Sequence, residues 1–209
     1  MIMLTVLQVF PGRSGRAPVA TILLAILVAT SSPMAFADSS AAALWQRLQQ
    51  PGKALYVVLL RHALAPGIGD PANFSLQDCS TQRNLSAEGR IQARQIGEAF
   101  QVRGVAIRQL LSSQWCRCLE TAELMSVGQV TALESLNSFF RDRSAAASRT
   151  AEVEQYLLSQ LDHPGVIVMV SHQVNITALT DIVPRSGTAV VVQVTASGLV
   201  RMGQLDPTG

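Results

Sequence analysis

Two of the three histidines in this 209-residue chain, His62 and His172, each follow directly on an apolar run. Arg61 precedes the first and Ser171 the second, while a third apolar run ends in Ser112-Ser113 and leads to Arg117. A neutral imidazole is a nucleophile and a proton carrier near neutral pH, and a guanidinium group grips a tetrahedral oxyanion through two parallel N–H bonds. Two arginines and two imidazoles converging on one crevice would make a phosphate site with a nucleophile inside it. The third histidine, His163, stands before Pro164-Gly165 and reads as a surface turn residue.

These side chains converge only if the runs before them are neighbouring parallel strands. Ala54–Ala63 is rich in Val, Leu and Tyr and is bounded by Pro51-Gly52 and Pro66-Gly67, which predicts a strand buried on both faces. Val105–Leu111 and Val166–Val170 predict two more, and Val130–Leu133 a short one. Ala189–Val194 and Leu199–Gln204, separated by Ala196-Ser197-Gly198, predict a terminal hairpin. Helices are predicted over Ala41–Gln50 and from a Ser86 cap to Gly104, the latter with the stripe Ile91, Ala93, Ile96, Ala99 and Phe100. Others are predicted from Gln114 to Ser126, from Thr150 with Val153, Tyr156, Leu157 and Leu161, and from Ile176 to Ile182 before Pro184. Gly89 means that the second helix either packs closely there or starts late. Glu134–Arg149 is ambiguous; within it Phe139-Phe140 reads as core. The alternation implies an α/β fold, a three-layer sandwich with a mostly parallel sheet and an antiparallel edge. In such sheets ligands bind beyond the carboxyl ends of the strands, where Arg61-His62, Ser112-Ser113 and Ser171-His172 fall. Arg117 then lies in the first turn of a helix, whose free amides also favour an anion.

Arg13 and Arg16, the apolar Ala17–Thr30 and the small residues of Ala35-Phe36-Ala37 predict a signal peptide over 1–37, with an uncleaved anchor as the alternative. The apolar Met1–Pro11 is unusual at such a start, so the start codon is expected further in. The remaining residues, 38–209, suffice for one domain. Subtracting Arg13 and Arg16 from the 16 Lys and Arg leaves 14, against 14 Asp and Glu. A neutral domain argues against nucleic-acid or anionic-membrane binding. Cys79, Cys116 and Cys118 in an oxidising compartment imply one disulfide and one thiol, with Cys79 joined to Cys116 or Cys118, and Cys118 the expected partner. Three buried free thiols are the alternative.

The sequence resembles the histidine phosphatase superfamily, the group of phosphoglycerate mutases and acid phosphatases. Arg61-His62-Ala63 resembles its Arg-His-Gly signature, Leu85–Arg90 with Gln92-Ala93 the opening of its first helix, Ser112-Ser113 with Arg117 and Thr121-Ala122 its second phosphate-binding segment, and Val170-Ser171-His172 its second histidine motif. The resemblance implies a phosphoglycerate mutase-like fold with His62 as the nucleophile, and Arg61, Arg117 and His172 as the clamp on the phosphoryl oxygens. It implies no metal and no cofactor. The loop Asp78–Asn84 and Val174-Asn175-Ile176 resemble a subgroup of exported phosphatases, one of them assigned to heptose phosphates of the lipopolysaccharide core. Arg83, Ser113 and Asn175 are the expected substrate contacts, and the expected partner is a small phosphorylated substrate, a sugar phosphate on lipopolysaccharide among the candidates.

The sequence departs from the family at two points. Ala63 replaces a glycine, which is tolerable if φ stays negative. Ser138 stands where a general-acid Glu is expected, leaving Asp142, Glu134, Asp78 and Asp70 as the nearby candidates. A chain without such an acid would favour good leaving groups. The competing readings are a phosphate-binding domain without turnover and a mutase. A Cys-based phosphatase loop, a Walker loop and a metal-spaced His/Asp cluster do not occur in the sequence.

Overall fold

The computed structural model describes residues 40–209, so the expected signal peptide over 1–37 lies outside the described residues. Six strands form one sheet in the order β3-β2-β4-β1-β5-β6. They are β1 (Leu55–Arg61), β2 (Ile107–Ser112), β3 (Val130–Ala132), β4 (Gly165–Ser171), β5 (Ala189–Thr195) and β6 (Gly198–Leu205). The β1–β4, β2–β4 and β2–β3 pairs are parallel, while β1–β5 and β5–β6 are antiparallel. The fold is phosphoglycerate mutase-like, with the expected antiparallel edge supplied by the hairpin.

Strand alternation divides the core into two layers. Tyr56, Val58 and Leu60 point with Val166, Val168 and Val170 towards α1 (Ala41–Gln49), α2 (Ala87–Val102) and α3 (Cys116–Met125). Leu55, Val57 and Leu59 point with Ile167 and Met169 towards α4 (Ala146–Ser159) and α5 (Gln173–Thr180). Both faces of β1 and β4 are therefore apolar, which is why these strands read as unbroken hydrophobic runs. None of the described helices is long and apolar enough to cross a membrane.

Several elements differ from expectation. The helix expected from Thr150 begins at Ala146, directly after a 3-10 turn at Arg143–Ala145, and its start at Ala145 has no side-chain cap to announce it. The last helix begins at Gln173, against His172, instead of at Ile176. Ile91 lies outside the core, 54% exposed, and the α2 stripe is completed by Gly89 and Gly97. A Cβ at Gly89 would stand 2.0 Å from Leu64 O, so the helix packs closely there on the chain leaving β1.

The disulfide joins Cys79 to Cys116, not Cys118. Cys116 opens α3 and meets the long loop, whereas Cys118 is turned inward and fully buried, with Sγ 3.5 Å from His172 Nε2. Two positions apart on a helix point to nearly opposite sides, so only one could reach Cys79.

Candidate active site

Parallel pairing brings the expected strand ends together. Arg61 is in register with Ser171, the His62 amide donates to Ser171 O at 3.0 Å, and the Ser113 amide donates to Val170 O at 2.9 Å. His62 is buried beneath a pocket of about 300 Å³ whose lining includes Arg61, Arg83, Arg117 and His172.

The tautomer of His62 follows from its neighbours. Its Nδ1 lies 2.8 Å from Ala63 O, which can only accept, so Nδ1 carries the proton. Nε2 faces Arg117 Nε at 3.3 Å, which can only donate, so Nε2 keeps its lone pair. Burial first, and the Arg117 charge second, lower the His62 pKa to about 3, against a gain from the Ala63 bond. His62 is thus a neutral imidazole with its nucleophilic nitrogen aimed at a cationic pocket. Ala63 has no positive φ, so the methyl group is accommodated, and its amide donates to Thr121 Oγ1 at 3.1 Å.

Arg117 is almost fully buried. Nη1 and Nη2 bind the two oxygens of Asp70 at 2.7 and 3.3 Å, Nη1 also donates to Arg83 O at 3.2 Å, and Nη2 reaches His172 Nδ1 at 3.3 Å. Asp70 additionally accepts from the Arg83 amide at 3.1 Å and from Trp115 Nε1 at 3.1 Å. Burial works against this carboxylate, yet the Arg117 bonds and charge outweigh it and hold its pKa below the ordinary value. Arg83 donates Nε to Gly69 O at 2.8 Å and Nη1 to Ala65 O, and burial beside Arg117 lowers its pKa to about 10. Arg61 Nη1 donates to Pro184 O at 3.0 Å while its Nε is buried with no acceptor, a donor left for an anion. Burial, then Arg117, lowers the Arg61 pKa as well. Arg61, Arg83 and Arg117 share the pocket with the buried Asp70 carboxylate, while Arg141 and Asp142 stand exposed at its mouth, and a phosphate on the three inner arginines would relieve their repulsion.

Ser113 and Asn175 lie behind His172 and do not line the pocket. Because Arg117 donates to Nδ1 of His172, the ring proton sits on Nε2 and is given to Ser113 Oγ at 2.9 Å. Ser113 in turn donates to Asn137 Oδ1 at 3.1 Å, and Asn175 Nδ2 donates to Asn137 O at 2.9 Å. This layer fixes the ring. Burial first, then Arg117 and His62, hold the His172 pKa well below its ordinary value.

Of the expected acids, Glu134 and Asp78 are exposed and do not line the pocket, while Asp142 does so at the mouth. Asp142 Oδ1 accepts from Ser144 N at 3.0 Å and Ser144 Oγ at 2.5 Å, which lowers its pKa. Phe139 is core as expected, but Phe140 is 44% exposed and lines the mouth, a correction to its reading as core. His163 is exposed, as expected of a turn residue. Sequence reasoning missed Asn137 and Trp115, whose partners are distant in sequence and leave no local pattern. Among the described residues no cluster of His, Cys, Asp or Glu is arranged to hold a metal.

Residues 57–139, from β1 through the α3 segment to Phe139, match the histidine phosphatase superfamily, branch 1. The chain has the histidine phosphatase fold. No curated protein matches the sequence. Among solved structures, the histidine phosphatase fold recurs in the protein histidine phosphatase SixA complexed with tungstate, 17% identical, covering 73% of this chain and 97% of that one at a TM-score of 0.52. A putative alpha-ribazole-5'-P phosphatase from Escherichia coli is 19% identical, covering 71% and 94% at 0.51. Phosphoserine phosphatase from Entamoeba histolytica, in complex with 3-phosphoglyceric acid, is 15% identical, covering 72% and 96% at 0.52. At these identities the likeness is one of fold.

Proposed function

We propose that the protein is an exported phosphomonoesterase that works through a phosphohistidine at His62. The observation that carries the reading is the orientation of His62: Nδ1 is tied to Ala63 O, and Nε2 is unprotonated beside Arg117. In the first step Nε2 attacks phosphorus while Arg61, Arg83 and Arg117 neutralise the phosphoryl oxygens, which is where charge stabilisation counts most. His172 joins the clamp as a donor once the arriving dianion raises its proton affinity. Water then cleaves the N–P bond and releases phosphate. The arginines supply the charge neutralisation that a divalent ion supplies in other phosphatases.

Export is supported by the Arg13, Arg16 and Ala17–Thr30 leader pattern with its Ala35-Phe36-Ala37 site, and by the Cys79–Cys116 disulfide, which belongs in an oxidising compartment. A periplasmic or secreted protein beginning at Asp38 is the expected product, and an intact leader on membrane-bound protein would favour the anchor. Small phosphorylated substrates are the expected partners. Heptose phosphates of the lipopolysaccharide core are the candidate that the resemblance of Asp78–Asn84 supplies.

The test is phosphate release from p-nitrophenyl phosphate in the presence of a chelator, beside His62→Ala. Turnover that survives the chelator and is lost in the variant supports the reading. Equal turnover in both proteins refutes it. Phosphate binding without turnover in either would favour a binding domain.

A further inference from the structure

Strand β2 meets β4 with a shift of register: Ile107 pairs with Val166 and Gln109 with Ile167, so Arg108 is an extra residue that bulges the strand. A bulge re-aims side chains, and here two successive ones meet the last turn of α4. The Tyr156 hydroxyl donates to Gln109 Oε1 at 2.9 Å, and Arg108 Nη1 donates to Gln160 Oε1 at 3.1 Å. The Arg108 side chain runs along Gly165 at the start of β4, its Nε 3.9 Å from where a Cβ would stand.

This arginine is short of acceptors. Its Nε and Nη2 are buried and make no hydrogen bond, and among the described residues Arg108 forms no ion pair. Charged donors held out of water without partners are costly to keep. The two bare nitrogens share one edge of the guanidinium and direct parallel N–H bonds, the fork that meets the two oxygens of a carboxylate. Arg108 also lines a pocket of about 290 Å³, distinct from the one over His62. Ile107, Leu110 and Leu111 give that pocket apolar walls, Gln129 and Thr131 add uncharged polar groups, and Arg108 is the only charged residue in its lining. One cation matches a monoanion. The strand-end pocket differs, because three inner arginines outweigh Asp70 there and suit a phosphate dianion.

We propose that the pocket beside the β2 bulge is a second ligand site, which takes a small organic carboxylate with an apolar body. The guanidinium turns on its Gln160 bond to bring the Nε and Nη2 edge to the two carboxylate oxygens, and the body of the ligand rests against Ile107 and the Tyr156 ring. The site goes beyond the phosphatase reading and does not depend on it: Arg108 stands near the amino end of β2, whereas Ser112 closes the strand at the end that carries the histidines.

The experiment titrates benzoate into the full chain by calorimetry, with and without saturating inorganic phosphate. One-to-one binding is expected, with a Kd of about 1 mM or tighter for so small a probe, unchanged by phosphate. Arg108→Gln should weaken it by roughly 10- to 100-fold, and benzamide, which has the same shape without the charge, should bind about as poorly to the wild type. Should the variant fail to fold, the unaltered protein gives a second reading: the Arg108 Nε–H resonance should move downfield as benzoate is added. Absence of saturable binding, a benzamide affinity equal to that of benzoate, unchanged affinity in Arg108→Gln, or a static Nε–H resonance overturns the proposal. Displacement of benzoate by phosphate also overturns it, since benzoate would then be occupying the strand-end arginines. None of these outcomes touches the phosphatase reading, which stands or falls on His62→Ala.

Discussion

Asp70→Ala isolates the contact on which the geometry of Arg117 depends. The pair is bidentate, at 2.7 and 3.3 Å, and its side chains are only 3% and 7% exposed. Removing one member of a buried ion pair costs about 3–5 kcal/mol, because the surviving charge is stranded. Here the pair borders an open pocket, so water screens one side and about 2–3 kcal/mol is expected, read as a lowered urea midpoint at unchanged slope. Arg117 also donates to His62 and His172, so a loosened guanidinium displaces the clamp from the nucleophile. A shift of about 1 Å there costs about 10² in kcat/KM. The assay is kcat/KM on nitrophenyl, phenyl and alkyl phosphates for wild type, Asp70→Ala and Asp70→Asn. A residue that acts through Arg117 lowers all three by a similar factor, since charge on the phosphoryl oxygens develops with every leaving group. A loss confined to the poorer leaving groups would show that Asp70 donates a proton, and a stability change under about 0.5 kcal/mol would show that Arg117 has little need of it.

The other predictions follow from His62, the disulfide and Gly89. With His62 neutral down to a pKa of about 3, ring-nitrogen NMR should show the Nδ1–H tautomer from pH 8 to pH 5, and an imidazolium signal above pH 5 contradicts the assignment. His62 and His172 both bind protons less readily folded than unfolded, so stability is lost as pH falls below about 6.5, and thermal scans should show a lower Tm at pH 5 than at pH 7. Replacing Cys79 and Cys116 by Ser opens a loop with a sequence separation of 37 and should cost up to roughly 4 kcal/mol, checked by denaturant titration. The same change should reduce kcat/KM, because Cys116 precedes Arg117 and the loop carries Asp70 and Arg83. Gly89→Ala improves helix propensity by up to about 1 kcal/mol, but the clash with Leu64 O should outweigh it and leave a net loss of about 1–3 kcal/mol. A stabilised variant would mean that α2 can shift away from the chain leaving β1.

What could be read from sequence divides by the range of the interaction. His62 and His172 stand out because each directly follows a strand whose two buried faces force an unbroken apolar run, and Arg61 closes the first of these, so a local pattern marks a tertiary position; Ser113 is marked less sharply, since β2 carries Arg108 and Gln109. Arg117 was legible for a related reason, lying in the first turn of a helix that begins just after β2. The supporting layer has no such marker. Asn137 orients Ser113 and receives Asn175 across separations of 24 and 38 residues, and its own neighbours, Leu136 and Ser138, are unremarkable in type. The cysteine pairing was undecidable for the same reason: Cys116 and Cys118 differ in helix face, and no residue near Cys79 indicates which face its loop will meet. The loop itself connects these cases. It is too long to be a plain connection, and Asp70, Cys79, Gln82 and Arg83 on it reach Trp115, Cys116 and Arg117, while the side chains of Gln82 and Arg83 also tie the loop to itself. Strand ends therefore fix where His62 and His172 stand, but the arginine opposite them is fixed by a segment with no regular structure. Substitutions in that loop should alter turnover well before they alter the fold.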